Sequence, residues 1–212
     1  MTEPFCEIER VYLYTRFERF WHWAQALLVM FLLLTGFEIH GSYDLFGFKL
    51  ATELHNYTAW TWLILYIFIL FWQATTEQWK QYVPTTKKLL AVAWYYMHGI
   101  FKREPHPVPK SARVKHNPLQ RLTYLGIAIV LIPVQMASGI LYFYYNSLPE
   151  WGMSIPLSYI SFVHTACAYA LLIFLVVHVY MTSTGHSITA HFKAMCTGWE
   201  EVPANGEEQG AA

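Results

Sequence analysis

The chain has 212 residues, of which 55% are hydrophobic, 18% aromatic and only 13% charged, with 14 basic and 14 acidic side chains in balance. Soluble domains carry about 25% charged residues, so a soluble globular enzyme is excluded and no nucleic-acid partner is expected. The composition is that of a membrane protein, with lipid as its first partner.

Four stretches reach the roughly 20 apolar residues that a hydrocarbon core requires: 20–39, 57–74, 122–145 and 159–181. The fold class expected is an all-α membrane protein, a four-helix transmembrane bundle. Residues 1–199 form one domain and 200–212 a disordered C-terminal tail.

In chain order, Arg10, Arg16 and Arg19 precede the first span. That span is full length and no small-residue cleavage site follows it, so it is expected to stay as an anchor rather than leave as a signal peptide. It carries His22 within Phe20-Trp21-His22-Trp23 and a Gly at position 36, where a macrocycle or another helix can approach the backbone. His40 follows, before Gly41-Ser42, a helix-end signal. His55 stands at the start of the second span.

A polar segment then carries Lys80, Lys87, Lys88, Lys102, Arg103, Lys110, Arg113 and Lys115, whereas the connection between the first two spans has only Lys49 and that between the last two has no Lys or Arg. The positive-inside rule places both termini and the long loop in the cytoplasm. Within the loop, residues 89–97 are too short to span and read as an interfacial helix, ahead of the proline-broken stretch 105–109. The third span opens with Asn117-Pro118, a cap followed by proline at the first helical position, and contains Gly139.

The fourth span holds His164 and His178, fourteen residues apart. On a helix that is about 21 Å of rise, with the two side chains within about 40° of one direction. Ionisable residues at such depth are expensive and usually functional, and neutral imidazole is an axial ligand for haem iron. Matching depths pairs His55 with His164 on the outer side and His22 with His178 on the inner side, each pair around a b-type haem. His40 is the rival of His55; its helix-end position and its span of about 27 Å from His22 count against it. Arg16 and Arg19 lie where propionates of the inner haem end, and guanidinium pairs well with carboxylate; positive-inside flanking explains them equally. His98, His106, His116, His186 and His191 are taken as solvated or interfacial. Cys6, Cys167 and Cys196 form no close pair and no Cys-x-x-Cys-His motif, so neither a structural disulfide, a covalent haem nor an iron–sulfur cluster is expected.

Arg-x-x-Arg-Phe-Trp-His-Trp at 16–23, Leu34-Thr35-Gly36 and the spacing of His164 and His178 resemble the cytochrome b subunits of membrane-bound formate dehydrogenases, NiFe hydrogenases and thiosulfate reductases. With Asn117-Pro118-Leu119-Gln120-Arg121 and the short tail, the chain looks most similar to the formate dehydrogenase gamma type. The resemblance covers nearly the whole chain. It implies two haems b, one ligand each from the first two spans and two from the fourth, and an Asn-x-x-Gln-basic motif beside a quinone pocket near the cytoplasmic haem. Asn117 and Gln120 fall on one helical face, and their amides suit a menaquinone or ubiquinone carbonyl.

The expected role is a multi-pass subunit of a bacterial-type inner membrane. It moves electrons between an iron–sulfur subunit, with its catalytic dehydrogenase or reductase subunit, and the quinone pool, and is not itself catalytic for the primary substrate. The alternatives are a self-standing diheme cytochrome of the bacterial b561 type and a haem-free transporter that uses intramembrane histidines.

Overall fold

In the computed structural model, the described residues are 8–102, 104, 107–108, 115–184 and 188–203. In order come strand β1 (Ile8–Tyr12), helices α1 (Arg16–Ile39), α2 (Phe48–Thr76), α3 (Leu89–Met97), α4 (Pro118–Gly126), α5 (Ile132–Phe143), α6 (Leu157–Thr182) and α7 (Ala190–Thr197), and strand β2 (Trp199–Pro203). Short 3-10 turns lie between them, and a π-helical turn, Ile127–Leu131, joins α4 to α5. Four helices are long and apolar enough to cross a membrane: α1, α2, the continuous 118–143 segment, and α6. Leu27, Ile64, Phe71, Phe162 and Ile173 stand exposed along them. Such apolar exteriors suit hydrocarbon rather than water.

The π turn has a local cause. Pro133 has no N–H to give, the backbone before it widens, and the Ala128 carbonyl instead accepts a hydrogen bond from the Tyr66 hydroxyl at 2.7 Å.

The chain divides into two compact units. Residues 20–75 and 128–180 form one, made of the bodies of the four long helices. Small and hydroxyl side chains are buried in it, among them Thr35, Ala51 and Ser138, as helix contacts within lipid favour. Glu38 of α1, also buried, accepts from the backbone N–H groups of Leu45 and Gly47, at 2.8 Å each, and of Phe46. That carboxylate gathers the orphan amides where α2 begins.

The other unit comprises residues 1–19, 76–127 and 181–212. In it β1 pairs antiparallel with β2, Tyr12 opposite Trp199. Gly198, at φ +90°, closes the pair: its carbonyl accepts from Leu13 and Tyr14 amides at 2.8 and 3.2 Å, and a Cβ there would stand 2.7 Å from the Tyr14 carbonyl oxygen.

The helical, four-span architecture is the one expected, with one short strand pair, β1 with β2, added to it. Two expectations are corrected. Residues 200–203, assigned to a disordered tail, form part of β2 because β1 supplies their hydrogen-bonding partner; 204–212 lie outside the described residues. The second long helix begins at Phe48, nine residues before the apolar stretch, because its first turns are polar. The helix expected at 89–97 is α3.

Candidate functional site

All four histidines singled out by depth lie in the compact unit of long helices, and they meet in two pairs. His55 of α2 faces His164 of α6, with ring centroids 6.3 Å apart and planes at 69°. The His55 ring rests on α1 at Gly36, where a Cβ would come within 3.3 Å of His55 Cε1. Thr35 Oγ1 lies 2.9 Å from His55 Nδ1, and the same hydroxyl donates to the Phe31 carbonyl at 2.9 Å.

His164 repeats this arrangement on α5. A Cβ at Gly139 would stand 3.2 Å from His164 Cε1, and Ser138 Oγ lies 3.1 Å from His164 Nδ1 while donating to the Gln135 carbonyl at 3.0 Å. The Gln135 amide nitrogen is 3.1 Å from His164 Nε2 and 3.3 Å from Nδ1. Gln135 is buried and its Oε1 has no partner among the described residues. His40, the rival of His55, instead places Nε2 3.2 Å from Thr165 Oγ1.

His22 of α1 faces His178 of α6 with ring centroids 6.1 Å apart and planes at 50°. The surroundings are aromatic. Trp23 stands edge-on to His22 at 5.2 Å, Trp21 is at 6.4 Å, and Phe174, one turn before His178, stacks on it at 5.4 Å. His22 Nδ1 is buried with no hydrogen-bond partner among the described residues.

The family described as Prokaryotic cytochrome b561 matches residues 13–198, a range that includes every one of these histidines. The chain belongs to that family. It is also similar to the protein of Escherichia coli (strain K12) named as cytochrome YdhU, 28% identical over 196 residues that cover 90% of this chain and 75% of the relative. A b-type membrane cytochrome, binding haem without covalent attachment and serving electron transfer, is the function this membership carries.

The donor set of the cytochrome fits such a group. Two imidazoles bound on opposite sides of one ion, each nitrogen about 2 Å away, put their ring centroids about 6 Å apart. Both pairs have that separation, and Gly36 and Gly139 clear the backbone beside one of them.

The remaining site candidates lie in the other compact unit. Asn117 caps α4 in a closed capping box: its Oδ1 accepts from Gln120 N at 2.9 Å, and Gln120 Oε1 accepts from Asn117 N at 3.0 Å. Asn117 Nδ2 donates to the Tyr96 hydroxyl of α3 at 2.9 Å. Burial raises the Tyr96 pKa, against the opposing pull of that hydrogen bond. Lys115 pairs with Glu18 at 2.9 Å, both side chains 12% exposed, and Glu18 closes a second box with Thr15 at the start of α1. Burial, aided by Glu200, raises Tyr14 as well. Arg19 donates to the Cys196 carbonyl of α7, and Arg16 is exposed.

Two of the histidines taken as solvated or interfacial have close partners. His116 stacks on Tyr82 at 5.2 Å with Tyr124 edge-on at 5.3 Å, and His191 meets Glu200 at 2.9 Å. His98 stacks on Trp94 at 4.1 Å, while His106, His186 and Cys6 lie outside the described residues. Cys167 and Cys196 are free thiols. Sequence reading missed Thr35, Ser138 and Gln135 as histidine partners. The one available signal was a hydroxyl residue directly before glycine, twice.

Proposed function

We propose that this cytochrome is the quinone-reactive membrane subunit of a respiratory oxidoreductase of the formate dehydrogenase gamma type, holding two haems b through His55 with His164 and His22 with His178. Haem, when bound, supplies a one-electron carrier at each pair. The observation that carries the reading is the double pairing itself: one helix, α6, contributes a histidine to each of two facing pairs. Fourteen residues of helix separate them, about 21 Å of rise, which matches a path across most of a bilayer core.

In this reading Asn117 and Gln120, at the start of α4, are the quinone contacts, and Arg16 and Arg19 are the basic residues available to carboxylates such as haem propionates. Interconverting quinone and quinol moves two electrons and two protons. The capping box uses Gln120 Oε1 and leaves its Nε2 to donate to a quinone carbonyl. Basic residues around the long loop support a cytoplasmic position for this end and for both termini.

A second reading, a self-standing cytochrome reduced by quinol, is favoured by the family match to cytochrome b561. Purifying the tagged chain from native membranes in mild detergent separates the two. Stoichiometric co-purification of an iron–sulfur subunit supports the first, and a chain that purifies alone yet is reduced by quinol supports the second. Unimpaired quinol reduction in Gln120→Ala rejects the quinone site at α4.

A further inference from the structure

We infer that the two hydroxyl–glycine dipeptides, Thr35-Gly36 on α1 and Ser138-Gly139 on α5, are matching seats that fix the tautomer and ring plane of His55 and His164, and so tune one haem of the cytochrome and not the other. The inference rests on the haem reading above. Its chemistry comes from where each hydroxyl proton goes.

Thr35 Oγ1 donates to the Phe31 carbonyl, and Ser138 Oγ donates to the Gln135 carbonyl. A hydroxyl has one proton. With that proton committed to the helix's own backbone, each oxygen can only accept from the imidazole it touches. Nδ1 of His55, 2.9 Å from Thr35, and Nδ1 of His164, 3.1 Å from Ser138, must therefore carry the ring proton. Nε2 is then the basic nitrogen on both rings, the atom needed toward iron.

The Gln135 amide nitrogen stands close to both ring nitrogens, 3.1 Å from His164 Nε2 and 3.3 Å from Nδ1, so the tautomer is set by the Ser138 hydroxyl. The glycine following each hydroxyl completes the seat. A methyl group at Gly36 or Gly139 would sit 3.3 or 3.2 Å from Cε1 of its histidine, tight enough to turn the ring. The same two-residue device occurs on two different helices, each holding a histidine of the next long helix.

An Nδ1–H bonded to an oxygen makes Nε2 a stronger donor, and losing such a partner typically weakens a metal site about 10–100-fold. Stronger donation favours ferric over ferrous iron, so breaking the bond raises the reduction potential. The His22–His178 pair has no such hydroxyl on His22 and serves as the internal reference.

The test is a potentiometric titration of the purified cytochrome, with EPR of the ferric form, for wild type, Thr35→Val, Thr35→Ser and Ser138→Ala. The expected result is two haems in each, one midpoint raised in Thr35→Val and Ser138→Ala, that haem's low-spin EPR signal displaced, the second haem unchanged, and Thr35→Ser at the wild-type position. Two haems with both midpoints unchanged in Thr35→Val and Ser138→Ala would overturn the inference, as would equal shifts of both haems. A wild-type protein without haem overturns the haem reading itself, a different failure.

Discussion

The His55–His164 pair and the His22–His178 pair have nearly the same separation, 6.3 and 6.1 Å, in very different surroundings. Each ring of the first is gripped by a hydroxyl and a glycine from another helix. The second is enclosed by Trp21, Trp23 and Phe174, and His22 Nδ1 has no hydrogen-bond partner among the described residues. Polar partners specify a tautomer and a ring orientation, whereas aromatic neighbours supply shape and low polarity. If each pair holds a haem, as proposed, the two carriers would share the same ligands and differ in potential through what stands behind those ligands.

The strongest way to break this comparison is to delete one pair at a time. His164→Ala is expected to remove one haem of two and leave the spectrum of the His22–His178 haem intact, read by pyridine-haem quantitation. Loss of both haems would mean that the pairs are not independent. Next, Gly139→Ala and Gly36→Ala press a methyl on His164 or His55, and overpacking of this kind costs about 1–3 kcal/mol. Both are expected to lower the Tm and displace the EPR signal of one haem only; a displacement of the other haem would place the glycines with the wrong pair.

Asn117→Ala removes the cap of α4 at a cost of about 1 kcal/mol. Its expected signature is slower reduction by quinol with both midpoints in place, which separates the quinone end from the carriers. Phe174→Leu, which keeps an apolar side chain in place and has the smallest effect, removes a stacking contact of about 0.5–1.5 kcal/mol. Here the His22–His178 haem should shift and the other should not, the mirror of the Thr35 and Ser138 variants.

The histidine pairs were legible because they rest on helix periodicity alone. Four apolar stretches and a fourteen-residue spacing fix depth and direction without knowledge of neighbours. What escaped the sequence depends on partners distant in the chain. The first turns of α2, with Lys49, Thr52 and Glu53, carry no apolar signal, and their start is set by Glu38 reaching from α1. Residues 200–203 look disordered by composition until β1, nearly two hundred residues earlier, pairs with them. Thr35 and Ser138 are ordinary helix hydroxyls in sequence; only the packing of α2 on α1 and of α6 on α5 shows that each touches an imidazole. Asn117 and Gln120 read both as a cap and as quinone contacts, and the closed capping box makes the first of these an observed property.

The most direct measurement is a reduced-minus-oxidised spectrum with pyridine-haem quantitation on the purified cytochrome, wild type beside His178→Ala. Two haems b per chain falling to one in the variant is the result expected of two facing histidine pairs. A single haem in wild type, or two haems that persist in His178→Ala, would contradict them.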